Sequence, residues 1–380
     1  MKKFFKIFAL VLGIAILTVS ATACGETAGK SVSSIILSGA KKTFTVGEEF
    51  SLGEIAVIAI YEDKTESEID DYEVDSSEFD PSKEGSYDIT IKYGKAKKTY
   101  TVSVVQKWKE DKKLKILTIG NSFSDDSMQW LYEIATNAGS EDIEEVWLGQ
   151  LYIGGCSIDT HLNNIGFDKP AYQYRTRNST TKNGWKTEDN YKMKDAILSE
   201  EWDYISFQQA SGFSGKPESY ENLSALMEKV RELAPDASFV WHMTWAYQDG
   251  STNPDIRDNY SKSYNSDQLT MYRAIVNAVK SEIIPKKEFV RIIPSGTAIQ
   301  NARTSYKGDN LNRDGYHLTL DLGRYIAGLT FFEKLTGIPA SQTTYAPNGL
   351  TEKDVLMAKE SASNAIRTPF EVTQSSYTAE

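Results

Sequence analysis

The sequence predicts an α/β protein in which a small all-β sandwich precedes a three-layer domain built on a mostly parallel sheet. From about residue 113 onward, five apolar runs alternate with stretches of helical period, the pattern of repeated strand–helix–strand units. Between about 32 and 105 the chain instead shows short alternating runs separated by Gly47, Asp63-Lys64, Gly85 and Gly94-Lys95, as expected of a sandwich of short strands. At 380 residues and 40% hydrophobic content, the chain is long and apolar enough for about two folded domains.

The first segment, "MKKFFKIFALVLGIAILTVSATAC", has three lysines, an apolar run from Phe4 to Val19, and small residues ending at Cys24. This is the layout of a secretory signal. The cysteine after Ala21-Thr22-Ala23 resembles the lipobox of bacterial lipoproteins, although Ala21 stands where leucine is usual. The resemblance implies lipidation of Cys24 and a chain anchored at the extracellular face of a bacterial cell membrane. An uncleaved anchor is the alternative, because the apolar run approaches the roughly 20 residues that cross a bilayer. The formal charge is −11, and without the three leading lysines it is −11 − 3 = −14. A basic footprint is lacking, which argues against nucleic acid as a partner.

The expected organisation is a signal peptide at 1–23, a spacer at 24–31, an Ig-like domain at 32–106 and a charged linker at 107–112. A larger domain at 113–372 and a tail at 373–380 follow. In the small domain, Tyr87, Ile89 and Ile91 share one face and Tyr100, Val102 and Val104 another, which predicts a hairpin. "FTVGEEF" and "GSYDITIKY…TYTVSVV" resemble bacterial Ig-like domains, without the disulfide and tryptophan of antibody domains. With Cys24 lipidated, Cys156 has no partner, and a free cysteine usually serves as a small buried hydrophobe.

In the larger domain, strands are expected at 115–120, 145–153, 202–209, 238–245 and 289–296. Helices are expected at 125–138, 219–233, 266–281, 319–336 and 351–366, with Thr319 as N-cap and Gly337 as stop for the fourth. Ligands of such sheets collect at the C-terminal strand ends. Those ends carry Ser122, Gly154-Gly155, Gln208-Gln209, His242-Met243-Thr244 and Ser295.

A serine hydroxyl becomes a nucleophile only when a base accepts its proton and an acid orients the base. Of the three histidines, His317 lies three residues after Asp314 in "NRDGYHLTLDLG", just before a helix. That spacing lets the carboxylate hold one ring nitrogen and leaves the other free. Ser122 could instead cap its helix, and Ser124 is a rival nucleophile. His242 reads as a core residue. Three scattered histidines without carboxylate spacing argue against a catalytic metal, and no cofactor is expected.

At these residues "ILTIGNSFSDDS" and "DGYHL" resemble the first and last blocks of SGNH/GDSL-type hydrolases, with Asn121 where aspartate is usual. "LYIGGCSIDTHL" is similar to the second block, and "FQQASG" stands where the third block carries asparagine. The resemblance spans about residues 113–370 and implies a flavodoxin-like SGNH fold with a five-stranded sheet. It implies Ser122, His317 and Asp314 as a catalytic triad, with an oxyanion hole made by Ser122 N–H, Gly155 N–H and the amide of Gln209 (or Gln208). Gln208, His161, Trp245 and Tyr247 are expected to line the substrate pocket, with a structural hydrogen-bonding role as the alternative for His161. Aromatic residues at 240–248 and 172–185, on loops after the strands, suggest a carbohydrate ligand, with ordinary core packing as the alternative, and the expected substrate is an acylated carbohydrate or another small ester. A polysaccharide-binding protein without catalysis, and an acyltransferase, are the competing expectations.

Overall fold

The computed structural model describes residues 31–82, 85–105, 112–181 and 184–378. The expectations for the signal segment and Cys24, and for the linker up to residue 111, lie outside these residues. The chain divides into two compact units, Met1–Lys107 and Trp108–Glu380.

The first unit contains β1 (Val32–Ala40), β2 (Thr43–Thr45), β3 (Gly53–Tyr61), β4 (Glu66–Glu68), β5 (Glu73–Asp75), β6 (Gly85–Tyr93) and β7 (Ala96–Val105). They form two sheets, β1-β3-β4 and β2-β7-β6-β5. The expected hairpin is present as β6–β7, antiparallel, with Ile89 opposite Tyr100 and Tyr87 opposite Val102. Gly94 takes its turn at φ +57°. Alternation places Ile89, Ile91, Val102 and Val104 inside, where Ile89, Val102 and Val104 meet Phe44 in a buried core.

The second unit runs β8 (Lys113–Gly120), α1 (Ser122–Met128), α2 (Leu131–Thr136), β9 (Glu145–Tyr152), α3 (Ile158–Gly166), β10 (Pro170–Arg177), β11 (Lys186–Lys192), α4 (Met193–Leu198) and β12 (Tyr204–Phe207). It continues with α5 (Leu223–Leu233), β13 (Ser238–His242), α6 (Arg257–Tyr264), α7 (Gln268–Ala278), β14 (Phe289–Ile293), α8 (Ser295–Arg303), α9 (Leu322–Thr336) and α10 (Glu352–Arg367). The sheet order is β11-β10-β9-β8-β12-β13-β14. Its last five strands are parallel, in the doubly wound order of flavodoxin-like folds.

The chain moves one way from β8 to β9 and the other way from β9 to β12. Right-handed crossovers therefore set the connecting helices on opposite faces. Covered on both faces, β8 reads as a nearly unbroken apolar run, with Ile116, Leu117 and Ile119 buried. The order reverses between β8 and β12, and that switch point is where Ser122 begins α1.

Four expectations change in detail. The sheet has seven strands rather than five, because β10 and β11 add an antiparallel edge hairpin. The helix expected at 125–138 is two helices, broken at Gln129-Trp130. The N-cap of α9 is Asp321, whose carboxylate accepts Leu322 N–H, while Thr319 Oγ1 accepts Gly323 N–H at 2.8 Å. Gly337 ends α9 in the left-handed region, as expected. Helices α3, α4, α6 and α8 were not anticipated, the last entered directly from β14.

Candidate active site

Ser122 occupies the first helical position of α1, half-buried. It does not cap the helix. That role falls to Asn121, whose Oδ1 accepts the Phe123 N–H at 3.0 Å. Ser124 is removed as a rival for the same reason of occupancy: it is buried, and its hydroxyl donates to Asn121 C=O at 2.7 Å. The Ser122 hydroxyl forms no hydrogen bond among the described residues. Its own N–H, at the start of the helix, has no acceptor within α1.

His317 lies on a short hairpin closed by the bridge between Asn312 and Leu318. Its Nδ1 is 2.7 Å from Asp314 Oδ2, and Asp314 Oδ1 accepts the His317 N–H at 2.8 Å and the Tyr316 N–H at 3.2 Å. An ionised Asp314 thereby selects the tautomer with the proton on Nδ1 and leaves Nε2 as acceptor. Partial burial pushes the Asp314 carboxyl upward. The His317 ring and the two backbone N–H groups outweigh that effect and hold it below the ordinary carboxylate range.

The Phe123 ring is 6.0 Å from the His317 ring and stacks on Trp245 at 4.3 Å, so the start of α1 and the His317 hairpin meet at one sheet edge. The folded carboxyl of Asp314 being depressed, its contribution to stability is complete above the ordinary pKa of about 3.9 and is lost as pH falls toward the folded value. Between pH 5 and 3, Asp314→Asn is expected to show a shallower fall in melting temperature than the wild type. Superimposable slopes would remove the His317–Asp314 pairing.

Sequence reasoning missed the group that joins the two halves. Asp126, fully buried and four residues after Ser122, accepts the Leu318 N–H at 2.8 Å. Its Oδ1 is also 3.0 Å from Arg313 and 2.7 Å from Arg324. Arg313 in turn donates to Leu318 C=O and gives its N–H to His317 C=O. Thus α1 and the hairpin share one buried carboxylate. The signal was present in "SFSDDS", since positions four apart lie on one helix side.

A second buried network explains the Gln-Gln pair. Gln208 Nε2 donates to Asn121 Oδ1 at 2.7 Å, and its Oε1 lies 2.9 Å from His242 Nδ1. Asn121 Nδ2 donates to Cys156 C=O. These bonds lock the ends of β8, β12 and β13 to the loop after β9. Burial pushes His242 down to about 3, so the ring is neutral, as a core histidine should be.

The expected third oxyanion donor is not free. Gln209 Nε2 donates to Ser219 C=O at 2.6 Å and to Ser219 Oγ at 3.1 Å, and its Oε1 accepts from Ile158 and Ala210 N–H. The longer glutamine side chain reaches past the pocket and secures the start of α3. Gly155 is exposed, at φ +64°, in the turn after β9, directly before Cys156, whose C=O accepts from Asn121 at the start of α1.

None of the four expected pocket residues has a free surface. Gln208 belongs to the network above. His161 is buried against the Tyr172 hydroxyl at 2.9 Å and the Cys156 thiol at 3.5 Å. Trp245 is buried, donating its N–H to Tyr316 C=O at 2.8 Å. Tyr247 is buried, with its hydroxyl on Ser211 Oγ at 2.9 Å. Aromatic residues close to strand ends were read as pocket walls, whereas their bulk fills the core beneath. Cys156 is a buried free thiol, pushed up to about 12 by burial, as its apolar reading implies.

A family model described as "Domain of unknown function (DUF4886)" matches residues 115–365. A second, "Bacterial Ig-like domain (group 3)", matches residues 37–104. The crystal structure of a DUF4886 family protein from Bacteroides uniformis is 39% identical, with a TM-score of 0.63, covering 69% of this chain and 98% of that one. A candidate SGNH hydrolase from Slackia heliotrinireducens is 19% identical, with a TM-score of 0.37, covering 59% of this chain and 99% of that one. No curated protein matches the chain.

Proposed function

The chain belongs to the DUF4886 family, and from that premise we propose that it is a serine esterase of SGNH type. The observation that carries this is the His317–Asp314 pair, held at 2.7 Å on the sheet edge where Asn121 caps α1 and the Ser122 hydroxyl bonds no described residue.

Ser122 Oγ attacks the ester carbonyl while His317 Nε2 takes its proton. The N–H groups of Ser122 and Gly155 stabilise the tetrahedral oxyanion. Collapse breaks the bond to the alcohol, which leaves with the proton held by His317. Water then repeats the sequence on the acyl-enzyme and releases the acid. Acetyl or another small acyl group on a carbohydrate is the substrate we favour, with the chain held at the cell surface by a lipid on Cys24. A second reading, a polysaccharide-binding protein with weak or no catalysis, draws support from Gln209. With that amide spent on Ser219, two backbone donors make up the hole. An acyltransferase would use the same acyl-enzyme.

Treatment of the full-length chain with a fluorophosphonate, followed by peptide mass spectrometry, tests the proposal. The adduct is expected on Ser122. An unlabelled chain that also fails to hydrolyse an aryl acetate would overturn the esterase reading in favour of binding alone.

A further inference from the structure

We infer that the cleft between α2, the His317 hairpin and the segment before α10 is a carbohydrate subsite. The inference rests on a carbohydrate being the ligand, and it says where the part beyond the reacting ester lies. The cleft measures about 510 Å³ and is lined by Trp130, Tyr345, Leu320, Arg313, Asp321 and Asn348, among others. That size lies within the range of small-molecule sites.

The chemistry of the lining selects the ligand. The half-buried Trp130 and Tyr345 rings lie 5.9 Å apart at 42° and form an open aromatic corner. The Trp130 N–H is already given to Leu320 C=O at 3.0 Å, so the indole offers its face rather than its donor. Leu320, with 57% of its surface exposed, extends the apolar patch. Arg313, Asp321 and Asn348 add a cation, a carboxylate and an amide. A lipid tail would need an unbroken apolar wall, which these three groups interrupt. A sugar ring presents both an apolar C–H face and a rim of hydroxyls, and this surface answers each.

The cleft adjoins the candidate site through Arg313. Arg313 lines it, pairs with Asp126 beneath α1, and donates its N–H to His317 C=O. Ser122 opens α1 and Trp130 follows its end, so the length of that 7-residue helix, roughly 10 Å at the helical rise per residue, lies between them. A ligand longer than one ring is needed to span the two, so the subsite selects oligosaccharides over acylated monosaccharides.

Binding of a panel of acetylated xylo-, chito- and pectic oligosaccharides to Ser122→Ala is the test. At least one member is expected to bind, with Kd raised about tenfold, or 1.4 kcal/mol, when Trp130→Ala is added. Leu320→Glu places its change on an exposed side chain, guards against misfolding of the Trp130 variant, and is expected to weaken the same ligand several-fold. Neither change is expected to move kcat/KM for a small aryl acetate. No binding by any panel member, or unaltered binding in both variants, would overturn the subsite. Oligosaccharide binding by a chain whose Ser122 resists the fluorophosphonate would instead sink the esterase reading and leave the subsite standing.

Discussion

Replacing Ser122 by alanine is expected to lower kcat for an aryl acetate by roughly 10⁴-fold or more, with the melting temperature almost unchanged. The asymmetry follows from position. Ser122 is half-buried, its hydroxyl bonds no described residue, and Asn121 supplies the cap of α1. Alanine is also a strong helix former at that place. A structural serine would show the reverse, a lower melting temperature with activity retained. Steady-state kinetics beside a thermal melt would separate the two, and residual activity within tenfold of wild type would end the nucleophile assignment.

The largest loss of stability is expected from Asp126→Ala. The carboxylate has no exposed surface and faces Arg313 and Arg324 as well as the Leu318 N–H. Removing it leaves Arg313 without its carboxylate, Arg324 with Asp125 alone as counter-charge, and a buried N–H unbonded. Loss of one member of a buried pair typically costs about 3–5 kcal/mol. Because Leu318 follows His317, the hairpin should also lose its seat on α1. Denaturant unfolding and kcat should therefore fall together, unlike in Ser122→Ala. A variant within about 1 kcal/mol of wild type would show that Arg313 and Arg324 find other acceptors, since that is the cost of an ordinary hydrogen bond.

The strands were legible because their hydrophobic pattern carries the information. In β8, burial on both faces demands apolar residues at nearly every position, and "KILTIG" supplies them. In β6 and β7, one buried face demands alternation, and "YDITIKY" and "TYTVSVV" supply that. Helix α8 was not legible, since all nine of its residues are buried. No polar stripe marks it; Thr297, Gln300, Asn301 and Arg303 are buried with hydrogen-bond partners from other segments. Tyr247 and Trp245 misled for a related reason. A buried aromatic with a satisfied polar tip and a pocket aromatic are the same letter in a sequence.

Local chemistry carried the rest of what the sequence alone determined: two units of different class, the Asp314-x-x-His317 spacing, and the candidate serine after the first parallel strand. Those features depend on neighbours within a few residues, where spacing dictates geometry. Tertiary structure alone decided which serine was free and which glutamine was spent. Asn121 takes its cap position only with Gln208 and Cys156 C=O beside it. Gln209 is committed only because Ser219 folds within reach. A polar side chain's role is set by the partner that satisfies it, and these partners come from other parts of the chain, brought close only by the sheet.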